Sequence, residues 1–352
     1  MVQLAQGNLL RADAEVLVNT VNCEGFMGRG IALQFKKAFP DSFQAYARAC
    51  RAGEVQPGRV LVFPTGSMMN PKYIIHFPTK RRWREKSKIA YIESGLQALI
   101  EQVRQLRVSS VAVPPLGAGL GGLNWRDVRP LIERAFAELP EVKVLLFEPL
   151  GAPDAKGMPV GTKRPRLTLA RALFICLMQR YRTMAYRLTL LEMQKLAYFL
   201  QEAGEQLRLG YVAHIYGPYA HNLNKVLERL EGHFIQGYGD SQKPDVEIEL
   251  LAGAAEEADR FLAQHEEAKR RLQRVSEVIE GFETPYGMEL LASVHWVAVH
   301  GTPGARDADG AVQAVHSWND RKREMFRPEH IRVAWTRLHE AGWVPAAGSQ
   351  PQ

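Results

Sequence analysis

The stretch Ala14-Glu15-Val16-Leu17-Val18-Asn19-Thr20-Val21-Asn22 predicts a β-strand that ends in a turn, and Met27-Gly28-Arg29-Gly30 then leads into an amphipathic helix. A second segment of this kind, Leu116-Gly117-Ala118-Gly119-Leu120-Gly121-Gly122, follows the apolar run Val111-Ala112-Val113 and precedes a helical pattern from Asn124. Two glycine-rich turns at strand ends, each opening a helix, can form one crevice whose backbone N–H groups bind a diphosphate. The sequence therefore predicts a nucleotide-like ligand in the first half of the chain.

Short apolar runs alternate with longer amphipathic segments over residues 1–150. Such alternation predicts an α/β domain with a sheet between helices, whose ligands bind beyond the carboxyl ends of the strands. The predicted strands are 15–19, 59–63, 73–77, 111–113 and 143–147. The predicted helices are 28–38, 41–50, 87–107 and 125–138.

Residues 151–167 are rich in Gly, Pro and charge, which predicts a linker. A mostly α-helical domain is expected over 168–345, followed by a flexible tail at 346–352. Thr189 and Glu192 have the spacing of a capping box, and Tyr216-Gly217-Pro218-Tyr219 predicts a turn that opens a helix at Pro218. The helices expected in this half are 168–183, 189–203, 218–231, 254–280, 287–299 and 328–341.

The composition is that of a globular protein: 46% of the 352 residues are hydrophobic and 24% are charged. No apolar stretch approaches the roughly 20 residues of a membrane helix, and the start does not have the pattern of a signal peptide. The three cysteines are far apart and odd in number, which favours a reducing cytoplasm and gives no metal-site spacing. We therefore expect a cytoplasmic protein that uses no membrane, metal or cofactor.

The net charge of +7 lies entirely in the first half. Residues 1–150 carry 20 basic and 13 acidic side chains, whereas residues 151–352 carry 25 of each. A basic domain suits a polyanion such as nucleic acid, although an inert basic surface would have the same composition.

Lys80-Arg81-Arg82-Trp83-Arg84-Glu85-Lys86-Ser87-Lys88 has six basic residues in nine positions. Cations for phosphates beside a stacking ring suit a DNA strand, which makes Arg81, Arg82, Trp83 and Arg84 candidate DNA contacts. The alternative is a solvated loop before a helix that Ser87 caps. Bases in the first turn oppose the helix dipole, which favours the functional interpretation.

Three further residues are candidates for the ligand site. Lys80 follows a predicted strand and can face the ligand as a nucleophile or an acid–base group if desolvation lowers its pKa. Asp13 precedes the first predicted strand and can accept from an adenine amino group or be a solvated turn residue. Asn22 can bond a ribose hydroxyl or shape an Asx-turn.

These segments together resemble a macrodomain over about residues 1–150, and the resemblance implies an α/β fold with a mixed sheet sandwiched between helices. The motifs that carry the resemblance are Gly7–Leu10, Val18–Cys23, Met27–Lys36 and Pro114–Trp125. The similarity is to the branch that contains terminal ADP-ribose glycohydrolase and the DarG antitoxins. Such antitoxins remove the ADP-ribose that the toxin DarT transfers from NAD to thymidine in DNA.

The resemblance implies that the chain binds ADP-ribose, with Asp13 on the adenine, Asn22 near the distal ribose and Lys80 as the catalytic residue. It places these residues around the diphosphate: Gly28, Gly30, Ile31, Gly117, Ala118, Gly119, Leu120, Gly121 and Gly122. The human-type enzyme has an aspartate where this chain has Gly121, so a lysine–aspartate pair is not available in that form. The substrate expected is ADP-ribosylated single-stranded DNA. The alternatives are an ADP-ribose reader without catalysis and a hydrolase that acts on modified glutamate in proteins.

In the second half, Lys195–Phe199 and Tyr216–Pro218 resemble the Panacea (SocA-like) domain, over roughly residues 185–240. This resemblance implies a module that neutralises a cognate toxin, here DarT, by contact. Residues 244–267 hold eight acids and the single base Arg260. An acidic face of this kind can imitate DNA phosphates, or it can be a solvated surface balanced by the bases that follow at 269–274.

Overall fold

The computed structural model describes residues 1–149, 158–182, 188–239 and 247–344. These residues form two compact units, the first built on Met1–Arg164 and the second on Pro165–Tyr238 with the described residues from 247 onward; Gly239 groups with the first unit. Residues 158–164 of the predicted linker also group with the first unit, whereas residues 151–157 and the tail at 346–352 lie outside the described residues.

The first unit contains a six-stranded sheet in the order β1-β6-β5-β2-β4-β3. All neighbouring strands are parallel except β3, which runs antiparallel to β4. The sheet is therefore mixed, as predicted. Its strands are β1 (Val2–Ala5), β2 (Val16–Val21), β3 (Leu61–Pro64), β4 (Tyr73–Pro78), β5 (Ser110–Val113) and β6 (Lys143–Phe147).

Successive side chains of a strand point to opposite faces of the sheet. Core residues of β2 are buried on both of these faces. Val16 and Val18 of β2 pack into one core cluster, and Leu17 packs into another. Central parallel strands buried on both faces read as continuous apolar runs, which explains why β2 could be predicted. The helices of this unit are α1 (Gly30–Ala38), α2 (Pro40–Arg51), α3 (Ile89–Leu106) and α4 (Trp125–Phe136), and a short 3-10 helix spans Leu9–Arg11.

The second unit is mostly helical, as predicted. Its helices are α5 (Leu169–Arg182), α6 (Leu190–Glu202), α7 (Leu223–Leu230), α8 (Ala254–Leu262), α9 (Glu266–Ile279), α10 (Pro285–Val299), α11 (Ala308–Trp318), α12 (Asp320–Met325) and α13 (Pro328–Glu340). The strand pairs are β7 (Tyr211–His214) with β8 (Gly217–Ala220), and β9 (Ile235–Gln236) with β10 (Glu249–Leu250). Among the described residues, no helix is both long and apolar enough to cross a membrane.

Three expectations for this unit meet different outcomes. The capping box of Thr189 and Glu192 is confirmed at the start of α6. The helix expected at Pro218 is wrong, because Pro218 pairs with Ala213 inside the β7–β8 hairpin. The helix expected over 254–280 is two helices. Its buried positions run 254, 258, 262 and then 268, 272, 275, and a step of six does not keep one face of a helix toward the core.

Candidate active site

Three loops meet at one edge of the sheet because β5, β2 and β4 are adjacent parallel strands. We name them the 22–29 loop, the 79–88 loop and the 114–124 loop, and they follow β2, β4 and β5. The backbone N–H of Cys23 donates to the carbonyl of Arg81 at 3.0 Å, and that of Ser87 donates to the carbonyl of Gly121 at 2.9 Å. The two glycine segments and the lysine-bearing loop therefore lie side by side, and we call the site that they border the cleft.

Gly30 allows the first glycine segment to approach the second. Its φ is +58°, a conformation that side-chain-bearing residues rarely adopt, and a Cβ at this position would lie 2.9 Å from Cδ1 of Leu120. Leu120 therefore occupies the space that any other residue at position 30 would fill. The two glycine segments, which the sequence predicts to border one crevice, therefore contact each other at Gly30 and Leu120.

The 114–124 loop contains backbone donors that have no acceptor among the described residues. The N–H groups of Ala118 and Gly122 are used within the loop, by the carbonyls of Pro115 and Gly119. No acceptor among the described residues receives the N–H of Gly119, Leu120 or Gly121. A run of three unsatisfied amides is suited to anionic oxygens.

The first glycine segment differs from the 114–124 loop because one of its amides already has an acceptor in the protein. Ile31 lies in the first turn of α1, where backbone N–H groups have no partner within the helix. Gly28 is open, because a Cβ there would meet nothing within 4 Å. The N–H of Gly30, however, donates to the carbonyl of Gly239 at 2.6 Å, so this amide is already satisfied by the protein.

Lys80 stands directly after β4 and Thr79, and is partly buried. Its Nζ donates to the backbone carbonyl of Glu85 at 3.1 Å, so the amine is held by its own loop. Burial lowers the pKa of Lys80 below its usual value of 10.5, and the nearby charge of Glu85 partly opposes this. The desolvation that the sequence interpretation required is present.

Ser87 is not the helix N-cap that the sequence predicted. The N-cap of α3 is Lys88, which makes no side-chain capping bond. Ser87 is buried instead, and its Oγ has no hydrogen-bond partner among the described residues. A Cβ at Gly121 would clash with this hydroxyl and with the carbonyl of Gly117. A side chain at position 121 would therefore require Ser87 or the Gly117 carbonyl to shift.

Asn22 shapes the 22–29 loop with its side chain. Its Oδ1 accepts from the N–H of Glu24 at 2.8 Å, and its Nδ2 donates to the carbonyl of Phe26 at 2.6 Å. The hydroxyl of Tyr46 also donates to the Asn22 carbonyl at 2.8 Å. The geometry is that of the Asx-turn alternative. A bond from Asn22 to a ribose remains a prediction.

Asp13 is the one predicted ligand residue that the structure keeps away from the loops. It precedes β2, whereas the loops follow the parallel strands, and a six-residue strand spans roughly 17–20 Å. Its exposed carboxylate accepts from Nδ2 of Asn70 at 2.7 Å. The adenine contact remains a prediction that this position does not support.

Asn8 is a polar residue on the cleft edge that the sequence interpretation did not single out. It follows β1, accepts from the N–H of Leu10 at 3.0 Å and donates to Sδ of Met158 at 3.1 Å. The available signal was its place in the Gly7–Leu10 motif, but no strand was predicted before it.

The predicted DNA-contact residues are exposed on the 79–88 loop. The Arg84 guanidinium carbon lies 4.6 Å from the ring centroid of Trp83, and Nε of Arg81 donates to the hydroxyl of Tyr91 at 3.4 Å. The N–H of Arg82 donates to the carboxylate of Glu85 at 3.2 Å. The structure thus brings a cationic and aromatic surface to the edge that holds Lys80.

In the second unit, Lys195 is 1% exposed, and its Nζ donates to the carbonyl of Pro218 at 2.8 Å. Burial lowers its pKa to about 7. Of the acidic residues at 244–267, Asp245 lies outside the described residues. Glu266 pairs with Lys269 at 2.7 Å and Glu267 with Arg271 at 3.0 Å, as expected for a balanced surface.

The mixed sheet and the glycine loops at the carboxyl ends of its central strands define a macrodomain, and the sequence pattern of the family "Macro domain" matches residues 18–132. Over 343 residues the chain is 48% identical to a "DNA ADP-ribosyl glycohydrolase" of Thermus aquaticus, an alignment of 97% of this chain and 94% of that protein. A protein of the same name from Mycobacterium tuberculosis is 43% identical over 96% of this chain and 99% of its own length. The chain therefore belongs to the DNA ADP-ribosyl glycohydrolase family.

A further relative joins two activities in its name. It is a "DNA ADP-ribosyl transferase-DNA ADP-ribosyl glycohydrolase fusion protein" of Thermosipho africanus, 33% identical over 42% of this chain and 42% of its own length. The macrodomain resemblance is thus confirmed, whereas the resemblance of the second half to the Panacea domain remains a prediction.

Proposed function

We propose that this protein hydrolyses the N-glycosidic bond between ADP-ribose and thymidine in DNA. Membership of the DNA ADP-ribosyl glycohydrolase family supports the reaction class. The observation that carries the proposal is the partly buried Lys80 amine, which lies on a loop bonded to the second glycine segment through Ser87 and Gly121.

In this proposal the glycine segments hold the diphosphate. The amides of Gly119, Leu120 and Gly121 supply hydrogen bonds, and the first turn of α1 adds the positive end of a helix dipole. The Gly30 amide joins them only if its bond to Gly239 opens. Asn22 keeps the 22–29 loop in shape beside the distal ribose. Fixing the diphosphate fixes the attached ribose, whose anomeric carbon must lie near residue 80.

Cleavage of the bond develops positive charge on the ribose and negative charge on the departing base. The bond's electron pair leaves with the thymine nitrogen, water adds its oxygen to the anomeric carbon, and one proton of that water ends on the base. A cationic Lys80 stabilises the departing thymine in this scheme. Because position 121 is a glycine and supplies no carboxylate, we favour this role over covalent attack by a neutral amine.

The test compares Lys80→Ala with Lys88→Ala, a matched lysine on the same loop. We expect Lys80→Ala to bind ADP-ribose with unchanged affinity by calorimetry and to lose turnover of an ADP-ribosylated oligonucleotide by about 100-fold or more, as for loss of an acid–base or electrostatic group. Lys88→Ala should retain turnover. Normal release of ADP-ribose by Lys80→Ala would remove the assignment.

The same assay separates the rival functions. A reader would bind ADP-ribose but release none from modified DNA in the unaltered protein. A protein-directed hydrolase would release it from modified glutamate in a peptide and not from DNA. No structural observation favours the reader or the protein-directed hydrolase over the DNA hydrolase.

We propose further that the second unit binds the toxin DarT, the transferase whose product the first unit removes. The fusion of a transferase and a glycohydrolase in one relative supports such a pairing. If acids of α8 imitate DNA phosphates, changing Glu256 and Glu257 to Gln should slow association with the toxin at low salt. Glu266 and Glu267 at the start of α9, which pair with Lys269 and Arg271, are the control. Equal association rates for both double variants would remove the mimicry.

A further inference from the structure

Two exposed aromatic rings from two of the loops that border the cleft meet at the protein surface. Phe26 of the 22–29 loop is 60% exposed, and Trp83 of the 79–88 loop is 36% exposed. Their centroids are 6.5 Å apart and their planes are inclined by 59°. We call this pair the aromatic corner. Exposed apolar side chains that form one contiguous patch, unlike those scattered singly, can mark an interaction site.

The backbone of the aromatic corner is fixed by hydrogen bonds. The Asn22 amide holds the carbonyl of Phe26 at 2.6 Å, and the N–H of Trp83 donates to the carboxylate of Glu24 at 2.8 Å. The Cys23–Arg81 backbone bond then joins the two loops. Because these contacts already order both loops, a partner that lands on the rings loses little additional entropy on binding.

The geometry distinguishes the two rings. Arg84 covers part of Trp83, with its guanidinium carbon 4.6 Å from the ring centroid. The 59° inclination leaves no parallel slot between Trp83 and Phe26. Phe26 therefore offers the open face, and Trp83 supports it from the side while Arg84 brings a positive charge beside both.

We infer that the aromatic corner stacks one unpaired base of the DNA strand, next to the nucleotide that carries ADP-ribose. This inference rests on the proposed function. Every base has a π-face that can stack on an aromatic ring, and the arginines of the 79–88 loop supply cations for the adjoining phosphates. Bases in a duplex are stacked on their neighbours, so the aromatic corner selects single strands without reading their sequence. The carbonyl of Lys80 accepts from Sγ of Cys23 at 3.5 Å, which ties the same two loops together at the proposed catalytic residue.

The probe is an unmodified oligonucleotide that contains 2-aminopurine, used as a single strand and as a duplex with the full-length protein. Binding of the single strand should change the 2-aminopurine fluorescence, and Phe26→Ala should abolish that change and weaken binding about tenfold, within the range found for removal of one stacking ring. Phe26→Trp should retain both signals. Met68→Ala, which truncates a 97% exposed side chain on the loop before β4, should behave like the unaltered protein.

Turnover gives a second readout. The ratio of kcat/KM for an ADP-ribosylated oligonucleotide to that for ADP-ribosyl-thymidine nucleoside should fall about tenfold in Phe26→Ala, through KM. Unchanged oligonucleotide binding by Phe26→Ala, or equal binding of the duplex, would overturn the inference. An equal loss of affinity for free ADP-ribose would also overturn it, because the ring would then contact ADP-ribose itself. If the unaltered protein released no ADP-ribose from DNA, the proposed function would fail while the fluorescence assay still tested the stacking.

Discussion

At the scale of single residues, the environment of Lys80 determines how the reaction should respond to pH. Burial disfavours the charged amine and lowers its pKa, while the bond to the Glu85 carbonyl at 3.1 Å holds it in place. Because we assign the cationic form to catalysis, kcat should fall as pH rises through this lowered pKa, below 10.5. The decline should reach roughly tenfold per pH unit above the pKa, as for any single essential group.

Lys80→Arg separates charge from nucleophilicity. An arginine keeps a positive charge at all accessible pH values, so the variant should retain measurable turnover and lose the alkaline decline. If turnover instead rises with pH in the unaltered protein and vanishes in Lys80→Arg, the amine acts in its neutral form as a nucleophile. Single-turnover rates measured between pH 6 and about 10 distinguish the two outcomes.

Two glycines of the 114–124 loop form a matched pair for a second prediction. A Cβ at Gly121 would clash with Oγ of Ser87 and the carbonyl of Gly117, whereas a Cβ at Gly119 would meet nothing within 4 Å. Gly121→Ala should therefore lower the free energy of unfolding by about 1–3 kcal/mol, the usual cost of overpacking, and weaken ADP-ribose binding. Gly119→Ala should stay near the unaltered protein in thermal unfolding. Equal behaviour of the two variants would show that the loop relaxes freely.

At the scale of elements, the sequence predicts the strands and helices whose formation is determined by their own residues and not by tertiary contacts. β2 and β4 are buried on both faces, so their apolar runs identify them without tertiary information. β1 is a four-residue edge strand with two exposed residues, and only its pairing with β6 makes it a strand. Because the sequence does not predict β1, it does not show that Asn8 follows a strand. The adenine contact is therefore assigned to Asp13, which precedes the first predicted strand.

The β7–β8 hairpin could not be predicted because its partners come from distant segments. Gly217 has a φ of +85°, and a Cβ there would lie 2.9 Å from Oγ of Ser293 in α10. The side chain of Gln194 in α6 accepts from the Ala220 N–H at 3.0 Å and donates to its carbonyl at 3.2 Å. Locally, Gly217-Pro218 favours a helix start; packing against α6 and α10 makes it a strand.

The same packing predicts how Lys195 of α6 affects stability. Its folded-state pKa of about 7 lies below the unfolded value near 10.5, so the unfolded chain binds more protons between these values. The group's contribution to stability therefore improves as pH rises from about 7 towards 10.5. Lys195→Met removes this titration, and its melting temperature relative to the unaltered protein should be highest at or below pH 7 and lower near pH 10.

The expected change is several degrees, since 1 kcal/mol corresponds to about 2–4 °C in a domain of this size. The charge of Lys322 contributes to the lowered pKa of Lys195, so the comparison reports the titration of these two lysines together. Lys225→Met, at an exposed position of α7, is the matched control and should show no such trend. A difference between Lys195→Met and the unaltered protein that does not vary with pH would contradict the assignment.

At the scale of the whole molecule, the sequence shows which half of the chain carries the excess positive charge. It does not show where that charge lies within the fold. Composition places the basic excess in residues 1–150. The fold then distributes it: Arg81, Arg82 and Arg84 follow β4 on the cleft edge, whereas Arg104, Arg107 and Lys143 stand near the amino ends of β5 and β6. We call these two sets of three basic residues the two triads. All six side chains are exposed and each triad carries three positive charges, so the triads differ in position only.

This difference leads to a prediction for DNA binding. Each phosphate contact with a single strand contributes about 0.7 to the slope of log Kd against log salt concentration, so changing Arg81, Arg82 and Arg84 together to Ala should reduce the slope by about 2. The same change at Arg104, Arg107 and Lys143 removes an equal charge on the opposite edge and should leave the slope nearly unaltered. Titration of an unmodified single strand at several salt concentrations measures both. If the two triads reduce the slope equally, the protein attracts DNA through its net charge alone, and the cleft edge has no privileged place in holding the strand.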